Sequence, residues 1–411
     1  MVSLEEARAH VLGLAGRLAP VEVPLADALG LVTAAEVRSP EAVPPFANTA
    51  VDGYAVRAAD TARAADTTAT PVELAVVGML PAGVAPSRAV GPGEAIRIMT
   101  GAPIPPGADA VVMVEDTVIV TTSVGGETVR IGRSVDVGSG VRPVGDDVRS
   151  GDLVVATGIE LTPGHLGVLA SVGVDRVLAH PRPRVGVLST GDELVEGGGA
   201  LQPGQIREAN RPALLGLLRR SGFDAVDLGI AADEEEAVTA ALRDGVARCD
   251  LVLTSGGVSM GDLDFVKVVL DGIGEMRWLQ IAIKPAKPLA AGVVDGIPVI
   301  GLPGNPVSSM VSFELFARPL LRKMAGQPGL DRPSVVAVAP DGFRRSPDGK
   351  THFDRVIATM ADDGTWTVRS AGGQGSHQLT AMAAANALAV VPDGNGVEPG
   401  GRVWALLLSW T

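Results

Sequence analysis

Strand-like and helix-like segments alternate from residue 184 to about residue 325, and this alternation restricts the fold more than any other feature. Apolar runs such as RVGVLST, FDAVDLGI, DLVLTS, LAAGVV and PVIGL are separated by helical patterns that begin near Asn210, Asp233 and Asp264. Strands joined through helices pair in parallel within one sheet. The sequence therefore predicts a central parallel α/β domain over residues 181–328.

The flanking segments predict three further units around this domain. Ser3 and Glu6 form a capping-box pattern before an N-terminal amphipathic helix. Residues 46–145 are rich in valine and contain TVIVTTSVGGETVRIG, which predicts a hairpin with a Gly-Gly turn in a β-rich insert domain. Residues 1–45 and 146–180 are expected to form one mixed, discontinuous domain. Residues 329–411 show short strands again and predict a C-terminal β-barrel-like domain.

The composition of the 411 residues excludes several classes of protein. The sequence has no apolar run of about 18 residues, so we expect neither a membrane span nor membrane binding. Its net charge of −13 argues against nucleic-acid binding. Cys249 is the only cysteine, which rules out an internal disulfide and indicates a reducing, cytoplasmic location. The five histidines show no metal-ligand spacing.

Three predicted strands end in loops rich in Gly, Ser, Thr or Pro: STGDEL, TSGGVSMGD and LPGNP. Open parallel sheets bind ligands at such carboxyl ends, and backbone amides there hold anionic oxygens. Each loop alone could be a tight connection, but three at one edge predict a phosphate-bearing ligand. GxGxxG and P-loop motifs are missing from the sequence, which weakens the common nucleotide-binding interpretations.

Acidic residues in or beside these loops suit Mg²⁺, which prefers oxygen ligands. They are Asp192, Glu193, Asp233, Asp262 and Asp264. For Asp233 and the three glutamates that follow it, stabilisation of a helix start is a strong alternative that needs no metal.

Lysine is rare in this chain, and two of the five lysines, Lys284 and Lys287, lie in IKPAKP. The flanking prolines stiffen this segment, so the pair is a candidate for holding a tetrahedral oxyanion, although a solvated lysine pair remains an alternative. In PGNP, Asn305 is expected to cap a helix that begins at Pro306, leaving backbone amides directed at the sheet edge.

Seven motifs taken together resemble the molybdopterin molybdenumtransferase (MoeA) family, which is related to the E domain of gephyrin. They are PPFANTAVDGYAVR, RIMTGAPIPPGADAVV, GSGVRPVGDDVRSGD, STGDEL, TSGGVSMGDLDFVK, IAIKPAKPL and GLPGNPVSS, in an order that matches from about residue 5 to residue 405. The resemblance implies a central molybdopterin-binding domain of the MogA type. It also implies insertion of molybdate into adenylylated molybdopterin with release of AMP and a dependence on Mg²⁺.

The resemblance further implies functional residues, each through its own motif. The catalytic positions would be Asp52, Thr100, Asp147, Glu193, Asp233 and Asp264, with Glu193 and Asp264 also holding the metal. The molybdate- and pterin-binding positions would be Lys284, Lys287, Pro288, Pro303, Asn305, Pro306, Arg355 and Ser376. The chain departs from the family pattern at Arg207-Glu208-Ala209 and at His377.

The resemblance also implies a homodimer whose active clefts combine the α/β domain of one subunit with the β insert of the other. It leaves open transient contacts with other molybdenum-cofactor enzymes. Two other functions remain as alternatives: a pterin adenylyltransferase, against which the extra domains argue, and a non-catalytic pterin-binding scaffold. We expect catalysis by positioning and charge stabilisation, without a protein nucleophile.

Overall fold

The computed structural model describes residues 1–65, 71–121, 126–257 and 265–409. Within these ranges no helix is both long enough and apolar enough to cross a membrane. The described residues form three six-stranded sheets, one in the first half of the chain and two in the second half, together with smaller sheets of two or three strands.

The N-terminal segment begins with a helix and continues as four short strands. They are α1 (Leu4–Gly13), β1 (Val21–Pro24), β2 (Val32–Thr33), β3 (Val37–Arg38) and β4 (Asn48–Thr49). Ser3 caps α1 by accepting a hydrogen bond from the Glu6 amide at 3.1 Å, as the sequence predicted. Ala7 and Val11 are fully buried in the hydrophobic core of the α/β domain. Helix α1 therefore packs on that domain.

The insert domain is built on a six-stranded sheet. Its elements are β5 (Gly53–Val56), α2 (Ala58–Thr61), β6 (Val72–Leu80), β7 (Glu94–Ile98), β8 (Ala110–Met113), β9 (Thr117–Thr121) and β10 (Glu127–Ile131). Strands β9 and β10 pair antiparallel, with Thr121 opposite Glu127. The predicted hairpin is thus present, although residues 122–125 of its turn, including Gly125 of the Gly-Gly pair, lie outside the described residues.

The chain then returns to pair with the N-terminal segment. The elements are β11 (Val141–Arg142), β12 (Leu153–Val155), α3 (Pro163–Ser171) and β13 (Arg176–His180). Strand β13 lies between β1 and β2, β12 pairs with β3, and β11 pairs with β4. The two flanks of the insert are thus joined by strand pairing. The exact domain boundaries stay a prediction.

The α/β domain contains a six-stranded sheet in the order β17-β14-β18-β22-β21-β19. Its strands are β14 (Arg184–Thr190), β15 (Leu194–Val195), β16 (Ile206–Arg207), β17 (Asp224–Ala231), β18 (Leu251–Ser255), β19 (Gly274–Gln280), β20 (Ile283–Lys284), β21 (Pro288–Val294) and β22 (Ile297–Leu302). Its helices are α4 (Asn210–Arg220), α5 (Glu235–Arg248), α6 (Phe265–Ile273), α7 (Pro306–Ser312) and α8 (Arg318–Met324), with a π-helix over Phe313–Ala317 between the last two.

This sheet is mixed, whereas the sequence predicted a parallel one. Strands β17, β14, β18 and β22 are parallel, but β21 pairs antiparallel with both β22 and β19. The physical reason is the two-residue link Asp295–Gly296, where both residues have positive φ, 50° and 81°. Asp-Gly with positive φ at both positions is typical of a hairpin turn, which reverses the chain.

The C-terminal domain is a closed five-stranded barrel. Its elements are β23 (Ser334–Ala339), β24 (Phe343–Arg344), β25 (Thr351–Met360), β26 (Trp366–Ser370), α9 (Leu379–Ala384), β27 (Ala387–Val391), β28 (Gly396–Val397) and β29 (Gly401–Leu407). Closure follows the order β25-β26-β23-β29-β27, because β27 also pairs with β25. Strand β20 of the preceding domain pairs in parallel with β25, with Lys284 opposite His352. This pairing brings the KPAKP segment against the barrel.

Candidate functional site

Two of the three predicted loops meet at the carboxyl edge of the central sheet, and the described part of the third lies with them. Strands β14, β18 and β22 are adjacent and parallel, so the loops after Thr190, Ser255 and Leu302 leave from one edge. Asn210, at the start of α4, ties two of these loops together. Its side-chain amide donates to Ser255 Oγ and to the Gly304 carbonyl, each at 2.7 Å. Sequence reasoning used Asn210 only as a helix start and missed this contact.

Asp192 and Asp233 join the loop after β14 to the loop after β17. The Asp233 amide donates to Asp192 Oδ1 at 3.0 Å, and the Asp192 amide donates to Asp233 Oδ2 at 3.4 Å. Glu193 is exposed beside them, and its carboxylate lies so close to Gly191 that a Cβ there would come within 2.6 Å of Oε2. Asp192 and Asp233 therefore hold two loops of this edge together, while Glu193 faces solvent beside them.

Of the two predicted magnesium ligands, Glu193 belongs to the described residues. Carboxylates such as Glu193 are suitable donors for Mg²⁺. Over the described ranges, however, no three His, Cys, Asp or Glu side chains converge as a metal site. Asp262 and Asp264 belong to residues 258–264, which lie outside the described part of the chain. The described residues alone thus do not form a complete metal site.

The PGNP turn differs from the expected anion site. Asn305 lies at the N-cap position of α7, but its side chain makes no capping hydrogen bond. The Val307 amide donates to the carbonyl of Ser376 at 3.1 Å. Because a protein carbonyl accepts from this amide, the Val307 amide is not directed at a ligand. The PGNP turn instead connects the α/β domain to the loop that contains Ser376 in the barrel.

The KPAKP segment forms one wall of an open pocket between the α/β domain and the barrel. Lys284 and Lys287 are exposed, whereas Pro285 and Ala286 between them are buried. The Lys284–Pro285 peptide is cis and Ala286 has a φ of 74°. The pocket residues outside this segment are Ile283, Ser308, Lys350, Gln374, Gly375 and Ser376. The structure therefore brings Lys284, Lys287, Pro288 and Ser376 together, as the molybdate-holding assignment requires.

Arg355 does not line this pocket, although the resemblance placed it among the molybdate-binding residues. Its side chain is fully buried in the barrel wall. The guanidinium donates to the carbonyls of Phe353, Gly373 and Gly375 at 3.3 to 3.4 Å. Burial lowers the pKa of Arg355, and the neighbouring Asp354 opposes that shift. Arg355 therefore acts on the pocket through the loop at 373–375, as a positioning residue.

Gln374 fixes the same loop from the other side. Its Oε1 accepts from the Arg355 amide at 2.8 Å, and its Nε2 donates to the Arg355 carbonyl at 3.0 Å. Nε2 also donates to Ser370 Oγ and to the Gly372 carbonyl. No local sequence pattern predicts this role of Gln374, because it depends on the closure of the barrel.

Lys350 is another pocket residue that sequence reasoning missed. It precedes β25 and donates to Asp348 Oδ2 at 3.2 Å. The scarcity of lysine, which drew attention to Lys284 and Lys287, was a signal that applied to Lys350 as well.

The predicted residues of the first half do not line the pocket beside the KPAKP segment, called here the lysine pocket. Asp52 accepts from the Thr100 amide at 2.7 Å and from the Thr100 hydroxyl at 2.8 Å. These bonds lower the pKa of Asp52, the amide bond more than the hydroxyl bond. Asp147 is exposed, and its amide donates to the Val43 carbonyl. Asp52, Thr100 and Asp147 are not among the residues that line the pocket of Lys284.

The residues that depart from the family pattern make contacts with nearby residues. Glu208 Oε1 accepts from the Arg211 amide at 2.9 Å in the first turn of α4, and Arg207 donates to the Gly199 carbonyl. His377 is exposed beside Gly375.

Comparison with known proteins covers almost the whole chain. Residues 2–173 match the family model of the MoeA N-terminal region (domain I and II), residues 186–323 that of a probable molybdopterin binding domain, and residues 337–408 that of the MoeA C-terminal region (domain IV).

Two curated relatives and one solved structure illustrate the match. Molybdopterin molybdenumtransferase 2 of Mycobacterium tuberculosis is 40% identical over 402 residues, and molybdopterin molybdenumtransferase of Haemophilus influenzae is 38% identical over 398. Both alignments cover 96% of each chain. The crystal structure of the molybdopterin biosynthesis MoeA protein from Pyrococcus horikosii superposes with a TM-score of 0.80 at 33% identity, covering 100% of both chains.

Proposed function

The chain belongs to the molybdopterin molybdenumtransferase (MoeA) family, enzymes of molybdenum-cofactor biosynthesis. We propose that it inserts molybdate into adenylylated molybdopterin with release of AMP. The observation that carries the proposal is the pocket beside the KPAKP segment, where Lys284, Lys287 and Lys350 face one opening. In a chain with a net charge of −13, such a group of cations is a local exception. It suits a small dianion such as molybdate.

The chain's own residues would act by positioning and by neutralising charge. Lys284 and Lys287 hold the oxyanion from one wall, while the loop at 374–376, fixed by Arg355 and Gln374, forms the opposite wall. Holding two anionic reactants side by side requires their repulsion to be screened, which the ammonium groups do best in a site with little water. No side-chain nucleophile is required.

The pterin and its AMP group would lie along the carboxyl edge of the central sheet. There Asn210 fixes the loops after β18 and β22, and the pair Asp192 and Asp233 fixes the loops after β14 and β17. A rigid edge with glycine-rich loops lets phosphate oxygens approach the backbone amides. Magnesium, held by Glu193 and Asp264, would supply Lewis-acid polarisation of the phosphate linkage.

We further propose a homodimer in which Asp52, Thr100 and Asp147 of one subunit serve the cleft of the other. We also propose a cytoplasmic location, with which the buried free thiol of Cys249 is compatible. The partners are adenylylated molybdopterin and molybdate, and handover to other molybdenum-cofactor enzymes would be transient.

The deciding experiment follows AMP release and metal-bound pterin when the purified protein is incubated with adenylylated molybdopterin, molybdate and Mg²⁺. We expect AMP release that depends on molybdate and is lost in Lys284→Ala and in Asp264→Asn. Omission of Mg²⁺ should reduce the rate in the unaltered protein. Tight pterin binding without any turnover would contradict the proposal and favour a pterin-binding scaffold.

A further inference from the structure

Lys350 lines the lysine pocket together with Lys284 and Lys287, but it belongs to a different domain. Its position is set by the pairing of β20 with β25, in which the Thr351 amide donates to the Ala282 carbonyl at 2.9 Å. The residue before Thr351 is thereby held beside the KPAKP segment. The side chain of Lys350 is 23% exposed, and it lines the opening together with Ser376.

Asp348 holds the Lys350 ammonium at the edge of the pocket. Its Oδ2 accepts from Lys350 Nζ and interacts with His352 Nε2, both at 3.2 Å, while its Oδ1 accepts from Arg345 at 2.6 Å. Burial alone would raise the pKa of Asp348, but the bonds to His352 and Lys350 outweigh it and lower the pKa to about 2. Asp348 is therefore ionised at neutral pH and keeps Arg345 as a partner when Lys350 turns away.

An ammonium group carries three N–H donors, and the bond to Asp348 uses one of them. The lysine stem is flexible, so its head group can reach a ligand without a change in the backbone. Asp348 and Lys350 thus form a pair in which the carboxylate competes with any anion that enters the pocket.

We infer that Lys350 is a third contact for molybdate and sets the affinity of the pocket for it, with Asp348 as the competing anion. This inference rests on the proposed function, since it assigns the pocket to molybdate. It predicts opposite effects for the two partners of one salt bridge. Loss of Lys350 weakens molybdate binding, whereas loss of the Asp348 charge strengthens it.

The test compares Lys350→Met, Lys350→Arg and Asp348→Asn in the full-length protein. The Lys267→Met variant is a matched control, because Lys267 lies over the Trp278 ring, 5.7 Å from its centroid, and does not line the pocket. We expect Lys350→Met to raise the molybdate KM about tenfold, as the loss of one charge-assisted contact would. The kcat at saturating molybdate and the pterin affinity should stay close to those of the unaltered protein. Lys350→Arg should restore most of the affinity, and Asp348→Asn should lower the molybdate KM.

Equal increases of the molybdate KM in Lys350→Met and Asp348→Asn would overturn the inference, because they would show that the ion pair acts only on the structure. An unchanged KM in Lys350→Met would also overturn it. Equilibrium dialysis with inorganic molybdate alone separates this result from the fate of the proposed function. In one outcome, neither the unaltered protein nor any variant releases AMP, while Lys350→Met still binds molybdate more weakly than the unaltered protein does. That result would contradict the proposed transfer reaction and support the Lys350 contact.

Discussion

The acidity of Asp52 depends mainly on one neighbour, Thr100. The Thr100 amide and then its hydroxyl stabilise the carboxylate and lower the pKa of Asp52. A carboxyl whose pKa is lower in the folded state stabilises the fold above the pKa of an unfolded aspartate, about 3.9. That stability is lost as the pH falls through the lowered pKa. Because this pKa lies far below 7, Asp52 is ionised at neutral pH.

Thr100→Val should raise the pKa of Asp52 part of the way to its ordinary value, because the hydroxyl bond is lost while the stronger amide bond remains. Thr100→Ser keeps both donors and should leave the pKa unchanged. Carboxyl ¹³C titration by NMR measures both variants. Because Asp52 stays charged at neutral pH in each case, any loss of activity in Thr100→Val reflects the missing Thr100 hydroxyl or the position of the carboxylate, and not the ionisation of Asp52. An unchanged pKa in Thr100→Val would show that the hydroxyl bond is not formed in solution.

The loop that contains Ser376 keeps its shape through side-chain contacts to the barrel, since residues 371–378 contain no strand. Gln374 contributes hydrogen bonds to Arg355, Ser370 and Gly372. The loop in turn accepts from the Val307 amide through the Ser376 carbonyl. The barrel therefore positions both the loop and the first turn of α7.

Gln374→Ala should increase hydrogen exchange of the amides at 371–376 and weaken molybdate binding, because it loosens the loop that forms one wall of the pocket. The cost in the free energy of unfolding should be about 1–3 kcal/mol, because partly buried backbone groups lose their partners. Gln202→Ala, at an exposed position, is the control. Exchange rates that match those of the control would mean that the loop is held by Arg355 alone.

The antiparallel edge of the central sheet depends on a close approach of β21 to β19. Gly292 lies opposite Met276, and a Cβ at Gly292 would come within 2.1 Å of the Glu275 carbonyl oxygen and 2.6 Å of Met276 Sδ. Backbone atoms at such a distance cannot make room as a flexible side chain can. A side chain at this position therefore separates the two strands.

Gly292→Ala should destabilise the protein by about 1–3 kcal/mol, the usual cost of overpacking. Gly272→Ala is the matched control, since it lies in α6 and a Cβ there meets nothing within 4 Å. By helix propensity that control should be neutral or stabilising by up to about 1 kcal/mol. Urea unfolding monitored by circular dichroism measures both. Similar midpoints for the two variants would contradict the steric argument.

Local patterns in the sequence predicted much of the molecule, while contacts between segments that are distant in the sequence were not predicted. The Ser3 cap, the strands β14 and β18 and the barrel strands follow from spacing and periodicity. The Asp-Gly pair at Asp295–Gly296 is a recognisable signal of a hairpin turn. The length of an apolar run, however, does not indicate whether neighbouring strands are parallel or antiparallel. The burial of Arg355 and the position of Lys350 depend on barrel closure and on the pairing of β20 with β25. No local pattern encodes those contacts.

At the scale of the whole molecule, the proposed dimer predicts that Asp52 and Lys284 of different subunits share one cleft. Asp52 and Lys284 belong to different domains, and Asp52 does not line the lysine pocket. If the insert of one subunit completes the cleft of its partner, then Asp52→Asn and Lys284→Ala should each be inactive alone. In a mixed dimer, one cleft would carry both changes and the other cleft neither.

Coexpression of the Asp52→Asn and Lys284→Ala chains should therefore restore about a quarter of the unaltered activity, since half of the dimers are mixed and each of these has one intact cleft. Differently tagged chains allow the mixed dimer to be purified, and its activity should be about half. Coexpression of Lys284→Ala with Lys287→Ala is the control, because both changes affect the same wall and no cleft is intact. If the first mixture is as inactive as this control, Asp52 and Lys284 act within one subunit, and the shared cleft is excluded.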